Sequence, residues 1–397
     1  MSVAGIASDQ PRLRVGVFGG FGIGNFGNDA SLEAVLAYLA EHHSGADVAC
    51  ICTNPAGLPE RLRANPITTA LRPKGFWRIA DTLLLRQPSA WTNMVRSLLA
   101  MGRFDVLLVA GTGVFDDFRD TPLGWPSRVL RWCLAARARG ARVMFLSVGA
   151  GPILNPVSRF LFKAAARLAQ HRSYRDANSR AFMGKLGVDE RQSLVLPDLA
   201  FLLPAPPTLA RAPDAPLTIG VGMMNYRGWR DSAAVFDAYV DIHARLIAWI
   251  DAKGFKTRIL IGQTPTDLVA VRALEKRVGR SLMSPEEEKM NSFHDAMRAA
   301  AVTDIVVASR YHVQIAALKM RRPLISLSYG PKNDALLADA GLETFTQDVH
   351  HVAFDDLTRQ IETLIAERAR YGAIVDARVS AMEAKLRDTL GALSLAG

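Results

Sequence analysis

Ser309-Arg310-Tyr311-His312 closes an apolar run, Asp304–Ala308, and opens a stretch of helical periodicity that carries Gln314 and Ala317. An arginine and a histidine two residues apart at the carboxyl end of a strand place a permanent cation beside a group that exchanges protons near neutral pH. That pair suits a small anion whose reaction needs a proton moved. The next apolar run, Pro323–Ser328, ends in Ser328-Tyr329-Gly330-Pro331-Lys332, and Lys332 brings a second cation to the same rim. A third candidate is Arg175, within Ser173–Arg180. It either holds an anion or pairs internally with Asp176 or Asp198. The other histidines (His42, His43, His171, His243, His294, His350 and His351) stand in no comparable motif.

Gly22-Ile23-Gly24-Asn25-Phe26-Gly27 has the spacing of a dinucleotide-binding turn, after a strand and before a helix. The acid that such sites use to hold a ribose is missing, because the second strand runs out through Cys52-Thr53-Asn54. The segment is either a ligand loop, with Asn25, Asn28 and Asp29 adding polar groups to exposed helix amides, or a structural turn. Gly111-Thr112-Gly113 and Gly149-Ala150-Gly151-Pro152 end two further strands. Three glycine-rich strand ends together imply a floor cleared for a bulky polar ligand.

The elements that must position these residues alternate. Arg14–Phe18, Val48–Cys52, Asp105–Ala110 and Arg142–Val148 read as strands without polar alternation, hence buried on both faces. Helical periodicity over Ala30–His42, Ser127–Arg139 and Arg159–Gln170 separates or follows them, which implies a parallel sheet. Five prolines between Pro204 and Pro216 mark a linker. The pattern then restarts with strands at Leu217–Gly222, Thr257–Gly262, Asp304–Ala308 and Pro323–Ser328, helices at Ala233–Lys253 and Val313–Met320, and one final helix from about Asp355 to Leu390. The expectation is an α/β chain of two Rossmann-like, doubly wound domains, residues 11–203 and 217–397, facing each other across a cleft in a GT-B-like layout.

With 397 residues, 49% hydrophobic and 22% charged, the chain has the composition of a globular protein and exceeds one ordinary core. The three cysteines, Cys50, Cys52 and Cys133, fit neither a disulfide framework nor a zinc site, and no metal-ligand cluster stands out. Met1–Pro11 lacks a basic segment followed by an apolar stretch, and no apolar run approaches the length of a membrane span. A cytoplasmic protein is expected. The formal charge is +10, and much of the excess lies in Arg61–Arg103, where Arg72, Lys74, Arg78 and Arg96 alternate with Phe76, Trp77 and Trp91. This stretch is a solvated flank, a phosphate-holding surface or a dock for the inner face of an anionic membrane, unless its tryptophans belong to the core. No nucleic-acid motif accompanies the charge, and no nucleic-acid partner is expected.

Ordered blocks along nearly the whole chain resemble the polysaccharide pyruvyl transferases: Gly20–Ala30, Ala110–Asp117, Ser147–Pro152, Ser173–Arg180, Pro197-Asp198, Ser309–His312 and Leu327–Lys332. The last two are the most specific, because the family reads Arg-x-His and Tyr-x-x-Lys there. The chain departs from the family where it has Asn28-Asp29 in place of two acids and Tyr311 in place of a leucine. The resemblance implies transfer of pyruvate from phosphoenolpyruvate to two hydroxyls of a sugar, in a polysaccharide or its lipid-linked precursor. The products are a cyclic ketal and phosphate. Phosphoenolpyruvate serves as co-substrate, with no further cofactor and no metal. His312 would be catalytic, with Arg310, Arg175, Lys332, Ser309 and Tyr329 on the donor. Gly22, Gly24, Asn25, Asn28, Asp29, Gly111, Thr112, Gly113, Asp116, Gly149 and Gly151 would face the acceptor. A GT-B glycosyltransferase with a nucleotide-sugar donor is the alternative, and a sugar-binding module without catalysis a third class.

Overall fold

Val15–Gly19 is apolar or glycine and almost wholly out of water, as the middle strand of a parallel sheet must be. It belongs to β1 (Arg14–Gly19) in a computed structural model that describes residues 12–395 apart from 72, 85–86, 112, 119, 208–214 and 229. The first domain continues with α1 (Phe26–His42), β2 (Asp47–Cys52), β3 (Ile67–Thr68), α2 (Phe76–Leu83), α3 (Gln87–Met101), β4 (Val106–Ala110) and α4 (Trp125–Ala138). It closes with β5 (Arg142–Val148), α5 (Pro156–Arg167), β6 (His171–Tyr174), α6 (Ala177–Lys185) and β7 (Leu194–Val195). The second comprises β8 (Thr218–Gly222), α7 (Ala233–Ala252), β9 (Lys256–Leu260), α8 (Thr266–Val278), α9 (Phe293–Ala301), β10 (Ile305–Ala308) and α10 (Tyr311–Lys319). After it come β11 (Leu324–Ser328), α11 (Pro331–Asp339), β12 (Thr346–Asp348), α12 (Phe354–Ala366) and α13 (Arg368–Gly391).

Both sheets are parallel throughout. The first runs β3-β2-β1-β4-β5-β6-β7 and the second β12-β11-β10-β8-β9. Each order reverses once, between β1 and β4 in the first sheet and between β8 and β10 in the second. At such a reversal the loops leave in opposite directions and open a crevice beyond the strand ends. The four strand ends at the two reversals all deliver residues to one cleft: Gly20, Gly113, Met224 and Arg310.

The two domains touch through backbone as well as side chains. Phe26 N–H donates to the Gly262 carbonyl at 3.0 Å and Thr264 N–H to the Gly24 carbonyl at 3.2 Å, so the glycine loop of one domain and the end of β9 in the other form a short antiparallel bridge. Of the linker expected over 204–216, residues 208–214 lie outside the described ones. The single final helix expected over Asp355–Leu390 is two helices. Glu367 leaves helical geometry (φ −103°, ψ 25°), and each half buries its own stripe, Leu357, Ile361 and Leu364 in α12 and Val375, Val379, Met382, Leu386 and Leu390 in α13. The end of α13 returns to the first domain, where Tyr38 Oη donates to the Leu390 carbonyl at 2.7 Å and Arg142 to the Ser394 carbonyl at 3.3 Å.

The Tyr38 bond is buried, so Tyr38→Phe is expected to lower the free energy of unfolding by about 1 kcal/mol. A urea titration checks it through a lower midpoint at unchanged slope. An unchanged midpoint would mean that this bond does not hold the helix end.

Candidate active site

The second-domain wall is fixed from beneath by buried polar side chains. Gln314 Nε2 donates to the Ala308 carbonyl and to Ser326 Oγ, both at 2.8 Å, and Asn333 Nδ2 donates to the Ser309 carbonyl at 2.8 Å. The end of β10 is thus tied to β11 and α11, which aims the residues that follow. Arg310 stands at the N-cap of α10 and uses no side-chain atom for capping. Its guanidinium pairs with Asp267 and reaches Gln263 Oε1 at 3.3 Å. Asp267 is fully buried and accepts from the Gly262 and Gln263 amides at 3.0 and 2.9 Å. A β-carbon at Gly262 would overlap the Arg310 side chain.

His312, the second residue of α10, enters the cleft from its first turn. Its Nε2 lies 3.5 Å from Asp198 Oδ2, and its ring rests on Gly27 of α1, where a β-carbon would overlap it. Burial opposes ionisation of Asp198. The neighbouring His312 and Arg175 and the Ala200 amide outweigh that penalty and hold its carboxyl below the ordinary range. Arg175 is 6% exposed, lies over the Tyr311 ring at 4.5 Å, and sits 3.5 Å from Asp176. It therefore lines the cleft and pairs internally at once. Burial works against its charge, but Tyr311, Asp176 and Asp198 keep it firmly protonated. Lys332 lies 4.7 Å from the centre of the Tyr329 ring. Burial would raise the Tyr329 phenol, yet Lys332, Arg310 and Arg175 together draw it below its usual value. Three cations from three loops thus converge on one spot. Ser309 is wholly buried and does not line the cleft.

On the opposite wall the glycines divide. Gly22 and Gly24 have φ of +75°, and β-carbons there would overlap the carbonyls of Asn54 and Thr264. Gly111 packs on Ser31 and Gly149 on Arg175. These four make room for the chain itself, and none of them lines the cleft. Asn25 caps α1 by accepting from the Gly27 and Asn28 amides, and Asn28 donates to the Gly20 carbonyl at 2.9 Å. Both still reach the cleft, together with Gly113, Asp116 and Gly151. Asp29 lies behind the loop, accepting from the Gly22 amide at 2.9 Å. Thr112 is outside the described residues. Asp116 sits across from the cations. Burial raises its carboxyl, with Lys332, the Phe118 amide and Arg175 opposing. The cleft holds about 640 Å³.

Asp267 carries no motif in the sequence, and Trp125, whose ring stacks on Phe18 at 5.3 Å and lines the cleft, likewise stands outside every block quoted above. Asp198 was visible as part of Pro197-Asp198, without its histidine partner. Among the described residues, no group of three or more His, Cys, Asp or Glu side chains is placed to hold a metal ion.

The model of the polysaccharide pyruvyl transferase family matches residues 25–331. Solved structures share the architecture. A putative UDP-N-acetylglucosamine 2-epimerase from Listeria monocytogenes is 9% identical over 97% of this chain and 98% of its own, with a TM-score of 0.59. UDP-GlcNAc 2-epimerase from Neisseria meningitidis, bound to UDP-GlcNAc, is 12% identical over 91% and 94%, with a TM-score of 0.57. The glycotransferase of kitacinnamycin is 16% identical over 96% of both chains, at 0.51. At such identities the likeness is one of fold, and the fold is of the GT-B type. No curated protein matches the sequence.

Asp29 is displaced from its ordinary titration range. Burial, with Glu33 adding to it, pushes its carboxyl up to about 6, against the Gly22 amide and Arg61. From about pH 4 upward the unfolded chain loses a proton that the folded chain keeps. The group's contribution to stability is therefore complete below that pH and is lost as the pH rises through about 6. Asp29→Asn keeps an acceptor for Gly22 without the charge. Its stability relative to the wild type should improve by on the order of 2 kcal/mol between about pH 4 and 7. Urea titrations at both pH values measure this, and a constant difference would show that Asp29 titrates as an ordinary carboxylate.

Proposed function

Because the chain belongs to the polysaccharide pyruvyl transferase family, we propose that it transfers pyruvate from phosphoenolpyruvate to two hydroxyls of one sugar, forming a cyclic ketal and releasing phosphate. The observation that carries this reading is the convergence of Arg175, Arg310 and Lys332 beside His312. Phosphoenolpyruvate bears a phosphate and a carboxylate on the same carbon, and a cluster of cations with a proton donor at its edge suits both groups. Helices α10 and α11 both open onto the cleft without a side-chain cap, and because α11 begins with Pro331, which lacks an N–H, the amides of Tyr311 and His312 and that of Lys332 are the ones that can add donors for an anion. At α1 the cap is already filled by Asn25. This favours the donor on the second domain and the sugar on the first.

The steps follow from the groups available. Asp198, 3.5 Å from Nε2 of His312, orients the ring, and His312 in its protonated form carries a proton to the methylene carbon. Positive charge then grows on the neighbouring carbon, between the phosphate oxygen and the carboxylate. One sugar hydroxyl attacks that carbon, and its proton restores the imidazolium. The carbon–oxygen bond to phosphate breaks, the second hydroxyl closes the ring, and its proton departs with the phosphate. One hydroxyl proton thus ends on the new methyl group and the other on phosphate. Asp116 stands on the sugar side, where a carboxylate can accept from a hydroxyl. Trp125 offers an aromatic face to a sugar ring.

His312→Ala should reduce turnover by about 10²–10⁴ while phosphoenolpyruvate still binds. Arg310→Ala should weaken phosphoenolpyruvate binding by roughly 2–5 kcal/mol. It also strands the buried Asp267, so Arg310→Lys is the companion variant, restoring a charge without the planar fork. Phosphate release from phosphoenolpyruvate with a glycan acceptor, beside calorimetric titration of the donor, measures both. Release of nucleoside diphosphate from a nucleotide sugar instead, or near-normal turnover in His312→Ala, would overturn the reading.

A further inference from the structure

Helices α2 and α3 are amphipathic the wrong way round for a surface in water. Their inward residues are polar: Asp81 is the buried residue of α2, and Asn93 and Ser97 are buried in α3 with Met101. Their outward residues are large and apolar. Phe76, Trp77, Ile79 and Leu83 on α2 and Trp91, Val95 and Leu99 on α3 are 50–78% exposed. A soluble helix turns its apolar stripe to the core, and an exposed apolar patch of this extent marks an interaction surface. The tryptophans of this segment are therefore not core residues. Its cations sort as well. Arg61 pairs with Glu33, and Arg63 donates to the Leu58 and Ala56 carbonyls. Lys74 and Arg78 lie exposed in and beside α2. Arg72 and Arg86 fall outside the described residues.

Behind the hairpin, against α4, lies a cavity of about 610 Å³ lined by Arg78, Arg128 and Arg131. Arg131 donates to the Thr69 carbonyl at 2.7 Å and to Ser97 Oγ at 3.3 Å, both neutral. Burial, reinforced by Arg128 and Arg96, pushes it down to about 10. The carboxylates in the cavity accept from backbone amides, Asp81 from Ser89 and Asp120 from Thr121 and Trp125. Asp120 and Arg128 line both this cavity and the active-site cleft. An apolar face, a basic cavity and the sugar-side wall of the cleft thus follow one another without a break.

We propose that the α2–α3 hairpin beds in an anionic lipid bilayer and that the basic cavity behind it takes the phosphate or diphosphate that links an acceptor sugar to its lipid. The outward tryptophans suit the headgroup boundary, and cations beside an anionic surface add attraction that salt screens. An amphiphile held there has its tail in the membrane, its anionic link on Arg78, Arg128 and Arg131, and its sugar facing the cleft. The inference rests on the reading of that wall as the acceptor side. Vesicle binding tests the membrane part without reference to the reaction.

The experiment is sedimentation with three kinds of vesicle: phosphatidylcholine alone, phosphatidylcholine with phosphatidylglycerol, and phosphatidylcholine carrying a long-chain prenyl diphosphate. Wild-type protein should pellet with the second and third, less so in high salt. Trp77→Ser with Trp91→Ser should cut retention by about tenfold or more. Because both side chains are exposed, melting and phosphate release on a short soluble glycan should be unchanged. Arg78→Gln should reduce retention on the prenyl diphosphate vesicles, and inorganic diphosphate should compete there. Wild-type protein left in the supernatant with anionic vesicles at low salt overturns the proposal. A wild-type dimer that the tryptophan variant turns into a monomer, without vesicle binding, assigns the face to a second copy and overturns it too. No gain from prenyl diphosphate and no effect of Arg78→Gln overturn the cavity assignment. Vesicle binding with no phosphate release from any acceptor leaves docking standing and removes the proposed reaction.

Discussion

The ring of His312 lies against the backbone of Gly27, closer than a β-carbon would permit. That approach carries a side chain of the second domain onto the first helix of the other, and it sets how far apart the two walls stand. It is reinforced by the pairing of Gly24–Phe26 with Gly262–Thr264, where Gly24 again lies too close to a carbonyl for any side chain. The same economy of atoms recurs beneath the cations. Gly262 gives way to Arg310 and Gly149 to Arg175. In each case a missing β-carbon lets a long charged side chain pass along the backbone and emerge at a strand end.

Cations gathered in so small a volume repel one another, and burial adds to the cost. The chain answers with carboxylates set behind them. Asp267 stands behind Arg310, Asp176 behind Arg175, and Asp198 near both Arg175 and His312. All three are themselves fixed by amides, Asp267 by Gly262 and Gln263, Asp176 by Ser179 and Asp198 by Ala200. The positive groups are therefore held from the rear, with their forward faces on the cleft. Several polar atoms here, Nε of Arg175 and Arg310 and Nε2 of His312 among them, are buried without a hydrogen-bond partner. Unsatisfied groups in a packed interior are costly.

Much of this was legible in the sequence because its signals are local. Apolar runs ending in Ser309-Arg310-Tyr311-His312 and Ser328–Lys332 put the cations at strand ends, and the βα alternation placed them in the second of two sheets. What was not legible depends on contacts distant in the chain. Asp267 meets Arg310 across 43 residues, and nothing around Asp267 hints at it. The glycines mislead for a related reason. A turn that admits a ligand and a turn that admits another piece of chain need the same freedom at φ, so Gly22, Gly24, Gly111 and Gly149 read alike before the structure shows what they touch. The stretch Phe76–Leu99 has a stripe of either kind at helical spacing. Which stripe faces in is decided by the partner surface, here the Leu71 backbone, which both donates to and accepts from Asn93, and the guanidinium of Arg131, which donates to Ser97.

The ties between the domains bear on how a substrate arrives. Backbone pairing holds them at the glycine loop, and the return of α13 to Tyr38 and Arg142 holds them again. A GT-B fold so fastened admits a bulky acceptor through a mouth more readily than by wide separation of its halves. The passage marked by Asp120 and Arg128 belongs entirely to the first domain. A molecule entering there meets Trp125 and Asp116 before the cations of the opposite wall. On the proposed reading, that order would keep the anionic link of an acceptor away from Arg310 and Lys332, which would otherwise compete for it. On the same reading, one chain would hold two anions at once, each on its own cluster of cations.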